Sequence, residues 1–177
     1  MISFREVGEE DAEIILRWRT SERVSKWMVT DVENDLQKQK QWLASCYNNP
    51  SYYHWMILVN DKPAGIINVS NYSEVQKITS WGFYLGEIDF LGFGAFIPGY
   101  IYSFIFNRLL VNRIDVEIFD DNREVIDLHL FYGYQYAAKK CKVINIYFNS
   151  LYFPFKLGQT KNLTLTAIIY YWHTTVY

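Results

Sequence analysis

The chain has 177 residues and a formal net charge of −2; 50% of its residues are hydrophobic and only 20% are charged. These values predict one globular domain with a sizeable core, and they argue against a nucleic-acid-binding protein, which usually carries an excess of basic residues. Cys46 and Cys141 stand far apart without a Cys or His partner nearby. We therefore predict no zinc site, no other metal and no disulfide framework.

The N-terminus lacks the basic-then-apolar pattern of a signal peptide, and the longest apolar runs are shorter than a membrane span requires. The sequence therefore predicts a cytoplasmic protein with no membrane partner.

The first elements follow from hydrophobic periodicity. Residues 2–7 alternate apolar and polar, which favours an edge strand. After Gly8, acidic residues open a helix whose apolar face holds Ile14, Ile15 and Trp18. A second, short helix is predicted around residues 21–28.

A third helix is predicted from about Val32 to Tyr47, capped by Thr30 or Asp31. Its spacing places Leu36, Trp42 and Leu43 on the inward face.

Three strands follow, at residues 52–59, 64–69 and 78–85, with a turn sequence at 60–63 between the first two. Residues 86–94 carry three glycines and are predicted to form a loop that leads into an apolar helix at 95–110.

The next strand is predicted at 113–119, followed by a helix capped by Asp121 and closed by Gly133 in a left-handed conformation. Residues 134–177 contain no acidic residue and could supply strands at 143–148 and 163–172, or form an atypical tail. The resulting order of elements predicts an α/β fold, a mixed sheet with helices on both faces.

The segment from Trp81 to Ala95 carries the chemistry. A strand feeds a glycine-rich loop and then a helix N-terminus, where free backbone N–H groups bind anions such as a pyrophosphate. We expect the amides between Phe90 and Ala95 to be free and to converge. The alternative is a tight turn into a buried helix. The nucleoside-triphosphate loop and the dinucleotide GxGxxG pattern are both absent.

The strand 112–119 and the helix that ends at Tyr132-Gly133-Tyr134 complete a pattern that resembles the GNAT acetyltransferase family. The chain is most similar to the branch that acetylates the 4-amino group of a nucleotide-linked amino sugar in pseudaminic acid synthesis, which also opens like Leu16-Arg17-Trp18-Arg19. The resemblance covers about residues 2–136, taken as the GNAT domain. Residues 137–177 then supply strands or an atypical tail that completes or departs from it. The resemblance implies a central mixed, mostly antiparallel, splayed sheet.

The resemblance also implies acetyl-CoA as co-substrate. The pantetheine arm is expected along the backbone of Tyr84, Leu85 and Gly86 and beside Asn122. The pyrophosphate is expected on the residues of the glycine segment, namely Gly92, Phe93, Gly94 and Ala95. Asp89 stands where the family has Gln or Arg, which is a departure from its pattern.

For catalysis, the branch uses a Glu on the strand and a Tyr on the following helix. Glu117 matches the Glu, and His129 stands at the position of the Tyr, where it could donate a proton. Tyr132 is a third candidate acid. Glu117 could also be an ordinary outward-facing strand residue, and His129 an ordinary helix-surface residue.

The acceptor, a small-molecule primary amine, is expected against Arg19, Trp27, Met28 and Asn68. Core or strand packing is the simpler reading of several of these residues. Acetylation of a protein N-terminus or a polyamine, and a degenerate acyl-CoA-binding module, stay open as alternatives. A homodimer is also possible.

Overall fold

The computed structural model describes residues 1–149, which form one seven-stranded sheet in the order β1-β2-β3-β4-β5-β7-β6. The strands are β1 (Ile2–Glu6), β2 (Tyr53–Val59), β3 (Lys62–Ser73), β4 (Ile78–Leu85), β5 (Arg113–Phe119), β6 (Gln135–Lys140) and β7 (Val143–Asn149). The helices are α1 (Ala12–Thr20), α2 (Glu22–Ser25), α3 (Leu36–Tyr47), α4 (Ile97–Asn107) and α5 (Arg123–Phe131), with 3₁₀-helices at Glu9–Asp11 and Ile88–Phe96.

Every neighbouring pair of strands is antiparallel except β4 and β5, which run parallel. The mixed, mostly antiparallel α/β sheet expected from the sequence is therefore confirmed.

The pairing of β4 with β5 is short. Only Ile78 with Arg113 and Thr79 with Ile114 are in register. One residue further, the Ser80 hydroxyl donates to the Asp115 carbonyl oxygen at 2.7 Å. Beyond that point the strands diverge, and a wedge opens between them.

The sheet buries both of its faces because side chains alternate along each strand. Ile57, Ile67 and Trp81 pack on one face in the cluster that contains the inner residues of α4 and α5. Met56 and Ile66 pack on the other face with residues of α1 and with Leu43 of α3. Helices cover both faces of the sheet, so the wedge between β4 and β5 is a gap in the middle layer of the fold.

Helix α3 begins later than predicted. Asp35, not Thr30 or Asp31, is its N-cap, because the Asp35 carboxylate accepts from the Lys38 N–H at 3.0 Å. The buried positions are Gln39 and Leu43, one turn apart. Leu36 and Trp42 are 40% and 44% exposed, so their predicted inward orientation is wrong.

Near the C-terminal end, Asn122 and not Asp121 occupies the N-cap of α5. Gly133 has φ of +92°, which confirms the predicted left-handed cap. The strand predicted at 143–148 is confirmed as β7. The sequence reading missed β6, and the strand predicted at 163–172 lies outside the described residues.

The segment predicted as a glycine loop is a 3₁₀-helix that continues into α4. Among residues 1–149, the run Ile88–Asn107 is the one helical stretch long and apolar enough to cross a bilayer, with a mean hydropathy of 1.4. Its α-helical half buries Ile97, Ile101 and Ile105 in the sheet core, which accounts for much of that apolar character.

Candidate active site

A cleft of about 1170 Å³ lies at the wedge between β4 and β5 and extends under α1, α2 and α3. Most of the side chains singled out from the sequence line it: Arg19, Trp27, Met28, Asn68, Tyr84, Leu85, Gly94, Ala95, Glu117, Asn122 and His129. Gly86, Gly92 and Phe93 lie outside this lining.

The backbone edge of β4 faces the wedge through alternate residues. Gly86 N–H donates to the Ala64 carbonyl oxygen on β3 at 2.8 Å. Because antiparallel bonding alternates, the N–H groups of Tyr84 and Gly86 point toward β3, and those of Phe83 and Leu85 point toward the wedge. Of the three residues predicted to run along the pantetheine arm, Tyr84, Leu85 and Gly86, only Leu85 has its N–H on the wedge side. The sequence reading missed Phe83, because only strand pairing reveals it.

The end of β4 is held by Arg23 of α2. Its guanidinium donates to the Leu85 carbonyl oxygen at 2.9 Å and to the Gly86 carbonyl oxygen at 2.5 Å. Gly86 is a glycine for a packing reason, since a Cβ there would stand 2.1 Å from the ring of Trp18. Both contacts fix the point where the strand leaves the sheet.

The backbone of residues 88–96 differs from the open loop that was expected. In a 3₁₀-helix each N–H donates to the carbonyl three residues earlier. Phe90 N–H donates to Glu87 O at 3.3 Å, and Ile97 N–H donates to Gly94 O. The expectation of free amides converging between Phe90 and Ala95 is therefore wrong, because the helical winding uses them internally.

The side chain of Asn122 lines the cleft. The residue is the N-cap of α5, yet its side chain makes no capping bond. A carboxamide can donate and accept at once, so this group suits an amide-containing ligand.

Glu117 lies on β5 between Val116 and Ile118, which are buried in the core. By alternation its carboxylate lies on the opposite face, where it is exposed and lines the cleft. An exposed carboxylate in a cleft is a suitable proton acceptor for an amine.

His129 lies on α5, only 4% exposed, with its ring 5.5 Å from that of Trp81. Its Nδ1 is 2.8 Å from the Val125 carbonyl oxygen, so Nδ1 carries the proton and Nε2 is an acceptor. Burial lowers the pKa of His129. The side chain is therefore neutral at neutral pH, and it is neither on the helix surface nor suited to the predicted role of proton donor.

Tyr132 ties two elements of the site together. Its hydroxyl donates to the Ala95 carbonyl oxygen at 2.8 Å, joining α5 to the residues before α4. Burial raises its pKa, so the phenol stays protonated at neutral pH.

The other end of the cleft holds a half-buried cation, Arg19. Arg19 of α1 donates to the Thr30 carbonyl oxygen at 2.9 Å and to the Thr30 hydroxyl at 3.0 Å. Its Nε is buried without a hydrogen-bond partner, and within residues 1–149 no carboxylate forms an ion pair with it. An unpartnered buried donor of this kind favours an anionic ligand.

Two residues beside Arg19, Tyr52 and His54, were not predicted as part of the site from the sequence. Tyr52, His54 and Trp42 line the cleft and contact one another edge to face, with centroids 5.5–6.2 Å apart. Burial, together with the charge of Arg19 and against that of Asp11, lowers the pKa of His54 to about 4. Burial raises the pKa of Tyr52, whose hydroxyl hydrogen-bonds with Asn68. Trp42 was predicted as an inward-facing residue of α3 and not as part of the cleft, so no feature of the sequence indicated this group.

Trp27 and Met28 follow α2 and are half-buried on the cleft wall. Lys26 stands over the Trp27 ring, with its Nζ 5.0 Å from the centroid. Within the described range 1–149, no three His, Cys, Asp or Glu side chains cluster as a metal site would need.

The Acetyltransferase (GNAT) domain model matches residues 2–135. Acetyltransferase PseH of Campylobacter jejuni (strain 81-176) is 23% identical over 127 residues, which are 72% of this chain and 78% of that protein. The crystal structure of C. jejuni PseH in complex with acetyl coenzyme A aligns with a TM-score of 0.68 and 16% identity, covering 85% of this chain and 99% of that one.

Two further solved structures share the fold. FdhC, a nucleotide-linked sugar GNAT, aligns with a TM-score of 0.73 and 23% identity over 85% of this chain and 87% of its own. Spermidine N-acetyltransferase of Vibrio cholerae, in complex with CoA and spermine, aligns with a TM-score of 0.77 and 8% identity over 85% and 96%. These neighbours have different acceptors, so the shared fold alone does not select one.

Proposed function

The chain belongs to the GNAT acetyltransferase family and is an acetyl-CoA-dependent N-acetyltransferase; we propose that its acceptor is the 4-amino group of a nucleotide-linked amino sugar. The observation that carries this proposal is the buried Nε of Arg19, which has no partner and lies in a cleft that also contains aromatic rings. A nucleotide diphosphate supplies the anion, and its base or sugar supplies a ring to pack on those aromatics.

The wedge suits the pantetheine arm of acetyl-CoA. The backbone N–H groups of Phe83 and Leu85 face it, and the Leu85 carbonyl is already held by Arg23. The Asn122 carboxamide stands on the other side of the cleft. These groups can form hydrogen bonds with the amides of the pantetheine arm, and part of that bonding comes from the main chain of β4.

The pyrophosphate requires a change in residues 88–96. The place for it is the segment with Gly92, Phe93, Gly94 and Ala95, but its 3₁₀ winding uses the amides internally. A 3₁₀ hydrogen bond has poorer geometry than an α-helical one, so replacing these bonds by bonds to the pyrophosphate costs little free energy. A Cβ at Gly92 would meet no atom within 4 Å, which leaves the backbone there open to a ligand.

The reaction forms one N–C bond and breaks one C–S bond. Glu117 accepts a proton from the ammonium group, and the neutral amine attacks the thioester carbonyl. As the amide forms, the nitrogen loses a second proton, and the leaving CoA thiolate takes up that proton to become the thiol. Because Nε2 of His129 has no proton at neutral pH, we assign His129 to packing and orientation of the wedge wall beside Trp81.

The acceptor is tested by mixing the enzyme with acetyl-CoA and a UDP-4-amino sugar and following the product by mass spectrometry. We expect one added acetyl group. The substitution R19Q should raise the acceptor KM at least tenfold, because it removes the anion's partner. R17Q is the matched control, since Arg17 pairs with Glu87 at the surface. Equal effects of both variants would contradict the role of Arg19.

Polyamine acetylation is the second candidate. The cleft lining also holds Asp31, Glu33, Glu117 and Glu124, and carboxylates attract a polycation. The Lys38 ammonium neutralises Glu33. Acetylation of spermidine with no activity on UDP-amino sugars would establish this alternative and overturn the first.

A further inference from the structure

The floor of the cleft carries a row of residues that runs across four strands. His54 on β2 is paired with Asn68 on β3, and Asn68 is paired with Gly82 on β4. Glu117 on β5 lies three residues beyond the register pair Thr79 and Ile114, as Gly82 does on β4. Directly opposite residues share a face, so these four positions form one line beneath the cleft.

Gly82 is the one member of this row that contributes no side chain, although neither backbone conformation nor packing demands a glycine there. Within residues 1–149 the glycine with positive φ is Gly133. A Cβ at Gly82 would meet a single atom within 4 Å, Asn68 Oδ1, at an ordinary 3.4 Å.

Gly65 on the neighbouring strand β3 differs in this respect. A Cβ at Gly65 would stand 2.1 Å from the Tyr84 carbonyl oxygen, so packing requires that glycine. A glycine inside a strand weakens the strand and often marks a site where a ligand approaches the backbone closely. The fold therefore has room for a side chain at position 82, although the sequence has a glycine there.

We propose that the space above Gly82 is the acceptor subsite, and that it receives the sugar-ring carbon that carries the amine. This inference rests on the proposed function and assigns Gly82 as a residue that determines which acceptor fits. The Asn68 amide stands on one side of the space, and the Glu117 carboxylate stands at the matching position across the wedge. The amine above Gly82 is thereby placed next to its proton acceptor, at the edge where the thioester enters.

The test is the series G82A and G82V in the full chain, with G99A as control. Gly99 lies on α4 outside the cleft lining, and a Cβ there would also meet no atom within 4 Å. We measure the acceptor KM with a UDP-4-amino sugar, the acetyl-CoA Kd by calorimetry, and Tm.

The expected result is a graded one. G82V raises the acceptor KM at least tenfold, G82A raises it less, and G99A leaves it within twofold. The acetyl-CoA Kd stays within twofold in all three, and Tm is not lowered because Ala and Val suit a strand better than Gly. This separation distinguishes a filled subsite from a damaged fold.

Two results overturn the inference. An unchanged acceptor KM in G82V removes the role of Gly82 while the proposed function stands. Equal losses of acceptor and acetyl-CoA binding show general damage and also remove it. A wild-type enzyme that acetylates only open-chain amines overturns the proposed function, and the ring assignment of the subsite falls with it.

Discussion

At the scale of single residues, Glu117 and Arg19 line different parts of one cleft, and the proposed function gives them separable tasks. Glu117 is an exposed carboxylate on β5, and Arg19 is a cation with a buried, unpartnered donor. A proton acceptor affects the chemical step, whereas an anion partner affects acceptor binding. The two effects should therefore appear in different kinetic constants.

The substitution E117Q keeps the shape of the side chain and removes its basicity. We expect kcat to fall by about 10²–10⁴, the usual contribution of a general base, with the acetyl-CoA KM little changed. Steady-state kinetics checks this. D127N is the matched control, because Asp127 is an exposed carboxylate on α5 outside the cleft lining. A kcat for E117Q within threefold of wild type would remove Glu117 from the mechanism.

His54 makes stability depend on pH. Its folded pKa of about 4 lies below the unfolded value of 6.5, so protonation favours the unfolded chain. Its contribution is fully present above pH 6.5 and is lost as the pH falls toward 4. Between pH 7.5 and 5 the loss is about 2 kcal/mol, before discounting for partial solvent contact.

The check is denaturant unfolding of wild type and H54N at pH 7.5 and pH 5. We expect wild type to lose more unfolding free energy than H54N over this interval. Parallel losses in the two proteins would show that His54 is not the group that titrates.

At the scale of elements, the short helix α2 controls the end of β4. Arg23 donates to two successive carbonyl oxygens, a geometry that suits the planar guanidinium and not an ammonium. The position of Leu85 at the wedge therefore depends on an element far from it in sequence.

The substitution R23K keeps the charge and loses the two-pronged contact. We expect the acetyl-CoA KM to rise about three- to tenfold, equivalent to roughly 0.6–1.4 kcal/mol, because the strand edge proposed to bind the arm loosens. Kinetics with acetyl-CoA as the varied substrate measures it. R17K, at a surface ion pair on the neighbouring helix, should leave this KM unchanged. An equal rise of the acetyl-CoA KM in R23K and R17K would show a general disturbance of α1 and α2 and would contradict a specific role of the Arg23 contact.

Secondary structure that local chemistry determines could be predicted from the sequence. Gly133 closes α5 as expected, because few other residues adopt its φ of +92°. Strand β6 could not be predicted, because its whole length is exposed and leaves no apolar alternation. The 3₁₀ winding of residues 88–96 was also missed, since glycines permit several conformations and tertiary contacts choose among them.

The site was predictable where the motif is continuous in sequence, and the cleft does contain Glu117, Asn122 and Asn68. Tyr52 and His54 were missed because their place in the cleft depends on the pairing of β2 with β3 and on the packing of α3. The orientation of the His129 ring was equally out of reach, because a backbone carbonyl on its own helix sets it.

At the scale of the whole molecule, acetyl-CoA should act as a stabiliser, because its proposed site uses both sides of a wedge that exists only in the folded chain. At one hundred times its Kd, binding adds about 2.7 kcal/mol of stability. For a chain of this size, that corresponds to a rise in Tm of about 5–10 °C. Scanning calorimetry measures it.

The control ligand is ADP, which has the pyrophosphate but no pantetheine arm. We expect ADP at the same multiple of its own Kd to stabilise by the same mass-action amount, but to require a much higher concentration to reach it. Comparable affinities for the two ligands would show that the wedge adds nothing to binding.

The two register pairs between β4 and β5 divide the sheet into a four-stranded part and a three-stranded part joined by a narrow seam. Within residues 1–149, every other pair of neighbouring strands has at least five residues in register, so this seam has the fewest main-chain pairs of the sheet. A co-substrate bound in the wedge, as proposed, would connect the two parts where the strands themselves do not.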